Sequence, residues 1–345
     1  MFEEPAYQWL DPAWRRSAEA WIHEAGARQG IPVVGPISGV RFLPWSAVLR
    51  ATTTGGDVYF KACGPSQRHE PALAAFLAEA RPDCMIPVLA ADLDRGWLLM
   101  PDGGPTLTAA IIAPADGPDH WRRVLGLLSS VQREMIGHAD RLPALGVPDR
   151  RPAVLPALLA DLLERPERLL TGAPGALTTA DLAKLRAFRP AFNDLCAELV
   201  TIGPPDTYVH DDLHEDHVFA RRLPDGDWRY TFFDYGDACV AHPFTQLVSQ
   251  PRFAAQRFAR GVDPVLKSLH EDYLRHWADF APLPALRRGL SIALALGGVI
   301  RALTWVNACG DHLDEIPAFL RDAYGERVAF WLMQVVERAE MPEGR

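Results

Sequence analysis

The stretch Thr207-Tyr-Val-His-Asp-Asp-Leu-His-Glu-Asp-His-Val-Phe-Ala220 decides the reading of this chain, together with Trp228-Arg-Tyr-Thr-Phe-Phe-Asp-Tyr-Gly-Asp237 after the turn Leu223-Pro-Asp-Gly-Asp227. From His210 to His217 only Leu213 cannot titrate. The apolar run Val218 to Ala220 and the strand-like run Trp228 to Phe233 flank a Pro-Asp-Gly turn, which predicts a β-hairpin with Asp234 at its exit. Charged loop residues are ordinarily just solvated. Here Tyr208, Val209, Val218, Phe219, Phe232 and Phe233 have the bulk of core residues and hold the acids and histidines close to a core. Strands fix geometry and loops carry chemistry, so the stretch is expected to be a functional site.

The motifs His210-Asp-Asp-Leu-His-x-x-His-Val-Phe219 and Phe232-Phe-Asp-Tyr-Gly-Asp237 resemble the aminoglycoside phosphotransferase family of the protein-kinase-like superfamily. That family carries His-Gly-Asp-Leu-His-x-x-Asn-Val-Leu and Ile-Asp-Trp-Gly-Asp at similar spacing. The resemblance implies Asp212 as the catalytic carboxylate, His210 as a brace of its loop and Asp234 as a metal ligand. Two positions depart from the pattern. His217 stands where the family has a metal-binding asparagine, and Gln246 stands near the place of an aspartate that braces the loop.

Upstream, Asp11-Pro12 opens a helix over 12–28 whose apolar face is Leu10, Trp14, Trp21 and Ala25. Strands are expected over 33–42, 46–54, 58–62, 86–92 and 96–100, the first interrupted by Pro36 and Gly39. Lys61 lies inside the apolar strand Val58-Tyr-Phe-Lys-Ala62, where an unpaired ammonium is costly if buried. The helix from Glu70 to Glu79 offers Glu70 as its partner, with Glu79 as the rival. This order resembles the small lobe of the kinase-like fold, which implies that Lys61 and Glu70 hold nucleotide phosphates and that the backbone near Met100 holds the base. A glycine-rich phosphate loop is missing; Phe42-Leu-Pro-Trp-Ser46 stands there instead.

Pro101-Asp-Gly-Gly-Pro105 breaks regular structure and places a lobe boundary at 103/104. The expected fold is α+β and two-lobed: a nucleotide-binding lobe over 1–103 with a five-stranded antiparallel sheet, and a mostly helical lobe over 104–345 carrying the catalytic loop and acceptor site. Helices are expected over 121–136, from the Thr178/Asp181 cap to Ile202 with Pro190 as a kink point, and over 263–280, 284–309, 311–322 and 324–339. Arg150 and Arg151 read as solvated, and so does the acidic cluster 311–315 as a helix cap.

The 345 residues suffice for two lobes with a sizeable core. A net charge of −9 argues against a nucleic-acid duplex as partner. Five scattered cysteines without C-x-x-C spacing predict reduced thiols in a cytoplasmic protein. The acidic start Met1-Phe-Glu-Glu-Pro5 lacks a basic n-region, so no signal peptide is expected. The run Leu290 to Ile300 falls short of the roughly 20 residues of a bilayer span and reads as a buried helix.

Phosphoryl transfer needs a phosphate cradle, a divalent ion and a carboxylate for the acceptor. The resemblance therefore implies ATP, with GTP as the alternative, Mg²⁺ or Mn²⁺, and a small-molecule hydroxyl acceptor such as an aminoglycoside-like antibiotic, sugar or amino alcohol. An imidazole at 217 suits Mn²⁺ or Zn²⁺ better than Mg²⁺; the competing expectation turns His217 toward Asp216 or Asp237. Two other classes stay open. One is a metal-dependent hydrolase using His210, Asp212, His214 and His217, which has the crowding of a zinc site. The other is a nucleotide-binding pseudo-kinase without turnover, suggested by the departures at 217 and 246.

Overall fold

The computed structural model describes residue 9 and residues 11–111, 116–248, 262–310 and 313–340. The N-terminal stretch 1–8, Leu10, Asp311 and His312 therefore lie outside the described residues, and the expectations placed on them are not taken further. The architecture is α+β, and the chain divides into two compact units. The first comprises residues 1–110, 216–236 and 314–317; the second comprises 111–215, 237–313 and 318–345.

In the first unit the helix α1 (Pro12–Arg28) starts where Asp11 accepts a hydrogen bond from Ala13 N at 2.7 Å. The five strands are β1 (Val33–Leu43), β2 (Ser46–Thr53), β3 (Gly56–Cys63), β4 (Ala90–Asp92) and β5 (Trp97–Pro101). They form one antiparallel sheet in the order β1-β2-β3-β5-β4. Register shifts in β1 fall between Val33 and Ile37 and between Gly39 and Arg41, at the proline and glycine that interrupt the strand pattern. An aromatic knot forms the core under α1: the Phe60 ring meets Trp97 at 5.4 Å and Trp21 at 5.6 Å, all edge to face. Such pairs add about 0.5–1.5 kcal/mol each beyond their burial.

β4 is shorter than its apolar run, because Ile86 N donates to Phe232 O at 3.0 Å instead of joining the sheet. That bond explains a second difference. The hairpin β7 (Val218–Arg222) and β8 (Trp228–Phe232) belongs to the first unit, not to the helical part expected beyond residue 103. Backbone bridges Met85↔Phe232 and Thr106↔Phe219 bind it there. Gly103 permits the contact: a Cβ at that position would lie 2.1 Å from the Phe219 ring. The helix α2 (Glu70–Ala80) and the short α3 (Leu107–Ala110) complete this unit.

The second unit is built on helices: α4 (Gly117–Met135), α5 (Leu155–Leu163), α6 (Thr179–Thr201), α7 (Val262–Arg275), α8 (Leu283–Cys309) and α9 (Ala318–Glu340). Thr178 and Asp181 form a reciprocal capping box at the start of α6. Two short strands, β6 (Thr207–Val209) and β9 (Cys239–Ala241), pair antiparallel. Gln132 of α4 anchors β6, donating to Tyr208 O at 3.2 Å while its own carbonyl accepts from Thr207 Oγ1. α8 is long and apolar enough to cross a membrane by length and composition, but 78% of its most apolar window is buried inside the protein, the state of a core helix.

Residues 318–340 form one helix where the pattern predicted a break near residue 323. Gly325 lies inside this helix, where a glycine is ordinarily unfavourable. It marks a close approach, since a Cβ there would sit 2.6 Å from Thr171 Oγ1 and 3.0 Å from Ala176 Cβ. Arg150 and Arg151 also depart from expectation. Arg150 is buried, and Arg151 is held by Asp149 and Asp140 at 2.7 Å each.

Candidate active site

In the first unit β3 points Lys61 into the interior, where it is 4% exposed. Its ammonium lies 2.6 Å from Glu70 Oε2 and 2.6 Å from Asp234 Oδ1. The lysine therefore takes Glu70 rather than Glu79, and a second acid besides. Glu70 sits in the first turn of α2, fully buried, and its other oxygen accepts from Tyr235 N at 3.1 Å. That bond fixes the backbone just after Asp234, which adopts φ +64. Asp234 Oδ2 faces His217 Nε2 at 3.3 Å and the Arg41 guanidinium at 3.5 Å.

The charges decide the protonation of this group. Burial would raise the Asp234 carboxyl, but Lys61, His217 and Arg41 outweigh it and hold the acid well below the usual carboxylate range. Burial would lower the Lys61 ammonium, yet Asp234 and Glu70 hold it above its ordinary value. Burial pushes Glu70 up, against the pull of Lys61.

His217 thus neighbours Asp234. The two acids expected as rival partners are otherwise engaged: Asp216 accepts from Thr108 Oγ1 at 2.5 Å, and Asp237 pairs with Arg301 in the second unit. An oxygen and a nitrogen 3.3 Å apart can bind the same divalent ion at adjacent coordination positions. The donor set fits a divalent metal, with the carboxylate as the hard ligand. Met100 lies in β5, one residue beyond the point where β4 stops pairing at Leu99.

In the second unit His210 and Asp211 leave β6 in a tight turn, with Asp212 N donating to His210 O at 2.8 Å. Asp211 takes φ +62, a left-handed conformation that glycine adopts without strain and aspartate tolerates. Its carboxylate is buried and accepts from Arg301 Nη1 at 3.0 Å and Thr304 Oγ1 at 3.2 Å. Arg301 also meets Asp212 Oδ1 at 2.9 Å and Asp237 Oδ2 at 3.2 Å. Burial would lower the guanidinium, but Asp211, Asp212 and Asp237 hold it charged. Burial pushes the Asp211 carboxyl up, opposed by Arg301.

His210 is wholly buried, and its backbone N–H donates to Gln246 Oε1 at 2.8 Å. Gln246 therefore supplies an acceptor where an aspartate was missed. His214 Nε2 lies 3.8 Å from Asp212 Oδ2, and Glu215 accepts from the Trp121 indole at 3.2 Å.

No family model matches the chain, and no curated protein matches it in sequence. Solved structures do match. An ethanolamine kinase from Plasmodium vivax superposes with a TM-score of 0.60 at 12% identity, covering 96% of this chain and 89% of its own. A choline kinase from Streptococcus pneumoniae gives 0.59 at 13%, over 92% and 99%. The GDP complex of an aminoglycoside 2'-phosphotransferase gives 0.56 at 13%, over 93% and 98%. The chain has the protein-kinase-like fold.

Within this kinase-like fold, several residues were not singled out from sequence: Arg41 in the first unit, and Asp211, Arg301 and Thr304 in the second. One signal was available. From Leu290 to Val306 the chain is apolar except for serine, threonine and a single charge, Arg301. A lone arginine in a buried helix must find acids, and the acid-rich stretch 210–237 is the richest source of them.

Proposed function

We propose that the chain is a small-molecule kinase that moves the γ-phosphate of ATP or GTP to a hydroxyl acceptor. The observation that carries the reading is Lys61 bridging Glu70 and Asp234 inside the first unit. A buried ammonium shared by two acids is a poor stability device, but it is ready to exchange one carboxylate for a phosphate. On nucleotide binding, Lys61 keeps Glu70 and transfers its second contact from Asp234 to the phosphates, with the backbone at Met100 against the base. Asp234 and His217 would hold the divalent ion, which when bound neutralises charge on the phosphate oxygens. Asp212 orients the acceptor hydroxyl and accepts its proton, and His210 braces that loop from the core.

The hydrolase reading is less well supported. The Arg301 guanidinium already occupies Asp212, and a cation there opposes a second cation on the same carboxylate. All five cysteines are buried and free, which fits a reducing, cytoplasmic setting.

Consumption of MgATP and MgGTP against kanamycin, erythromycin, choline, ethanolamine and glucosamine tests the proposal and names the acceptor class. Asp212→Asn should lower turnover about 10²–10⁴-fold with nucleotide affinity within a few-fold of wild type. Near-native turnover in that variant would remove Asp212 from the reaction, and nucleotide binding without turnover on any acceptor would favour the pseudo-kinase.

A further inference from the structure

We infer that Arg301 of α8 is a positioning residue for phosphoryl transfer, fixing Asp212 as an ionised carboxylate with one oxygen held and the other aimed. The inference rests on the reading of Asp212 as the acceptor carboxylate. Its own support is a single buried guanidinium that ties three points together. Nη1 contacts Asp211 Oδ2 at 3.0 Å, Asp211 O at 3.2 Å and Asp237 Oδ2 at 3.2 Å, while Nη2 contacts Asp212 Oδ1 at 2.9 Å. The arginine is 6% exposed, and the Trp331 ring of α9 lies 5.9 Å from its charge.

Two consequences follow from that geometry. A planar fork bound to three acids cannot swing, so the Asp212 carboxylate is held in one orientation through Oδ1. The direction of Oδ2 is then set. Second, among the described residues of the second unit the charged groups around Asp212 include Arg301 from α8, His214 and Asp211 from its own turn, and Asp237. Arg301 is the permanent cation among them and favours the ionised acid. Asp212 becomes a weak base and a strong positioning group, which suits a transfer governed mostly by positioning and electrostatics.

The competing role is purely structural: Arg301 would serve only to neutralise the buried Asp211. The measurement is kcat and KM for MgATP across pH 5–9, with water as acceptor and with whichever of the screened hydroxyl compounds the wild type phosphorylates. Arg301→Gln should lower kcat about 10²-fold, the scale of a small misplacement of a reacting group. KM for ATP should stay within a few-fold. The acid limb of kcat should move up by about one to two pH units, and Arg301→Lys should restore part of both losses. Arg301→Gln strands the buried Asp211 and can fail to fold, so the double variant Asp211→Gly/Arg301→Gln is the second arm. It removes the stranded acid and places glycine at φ +62. If Arg301 acts through Asp212, the double variant keeps the kcat loss and the shifted limb. Return of the double variant to wild-type kcat and pH profile overturns the inference, as does a folded Arg301→Gln with wild-type kcat. Asp212→Asn run in parallel separates the two levels: full turnover there sinks the acceptor assignment itself, whereas loss there with a wild-type Arg301→Gln sinks only the positioning role.

Discussion

Replacing Lys61 with methionine keeps the volume of the side chain and deletes its charge. Glu70 and Asp234 then face each other with no ammonium between them. Their near oxygens are no more than about 5.2 Å apart, twice the 2.6 Å contact each makes with Nζ. At an effective dielectric of about 20, two carboxylates at that distance repel by about 3 kcal/mol. Breaking a buried pair by removing one partner costs about 3–5 kcal/mol, so the repulsion accounts for much of the expected loss. The sign with pH follows from the shifts. In the wild type the Asp234 value is depressed, so its contribution is fully present above the ordinary carboxylate range and lost as pH falls through and below that range. In the variant one carboxyl of the pair is raised instead, so the penalty is full at alkaline pH and relieved as pH falls, by about 1.4 kcal/mol per pH unit once the proton binds. Urea unfolding followed by tryptophan fluorescence at pH 5 to 8 reads this directly. The stability gap between wild type and Lys61→Met should be widest at pH 8 and narrow toward pH 5. A gap under about 1 kcal/mol, or one that does not change with pH, would refute the argument that a single buried ammonium compensates both acids.

Further outcomes are expected. His217→Asn should shift activity from Mn²⁺ toward Mg²⁺, because imidazole nitrogen matches the softer ion; an unchanged ratio of the two activities takes His217 out of the metal site. Gly325→Ala should destabilise by about 1–3 kcal/mol through overpacking against Thr171 and Ala176. A helix-interior Gly→Ala would otherwise gain about 1 kcal/mol, so the sign of the change in denaturation midpoint is decisive. His242 is buried with Nδ1 accepting from Phe244 N at 3.3 Å and Nε2 against Ile202 O at 3.4 Å, and burial pushes it down to about 3. Its contribution is present above about pH 6.5 and lost as pH falls toward 3, so wild-type stability should drop by about 2 kcal/mol between pH 7 and 5 from this group alone. His242→Gln should flatten that part of the stability curve, and equal slopes in both proteins would count against a neutral buried imidazole.

Local pattern carried much of the fold. The Asp11-Pro12 cap, the Thr178/Asp181 box and the strand runs of β2 and β3 each act over a few residues and appear where expected. The Lys61–Glu70 partnership was also legible, because a lysine in an apolar strand demands an acid nearby. What escaped was set by contacts distant in sequence. The hairpin 218–232 joins the first unit through Met85 and Thr106, more than a hundred residues upstream, and no periodicity encodes that. The sequence around Gly325 does not show what lies against it. Arg301 was visible as an oddity, but its three acids come from two turns that the helix sequence does not reveal.

The Asp211–Arg301 pair imposes an order on change. Asp211→Gly first leaves the guanidinium with Asp212 and Asp237 and relaxes a left-handed backbone, a step the protein can absorb. Losing Arg301 first strands a buried carboxylate at a cost of about 3–5 kcal/mol, a large share of what holds a typical domain together. The two substitutions are therefore reachable along one path and blocked along the other. A library that mutates α8 alone will discard variants whose only fault is that the 210–212 turn was not altered beforehand.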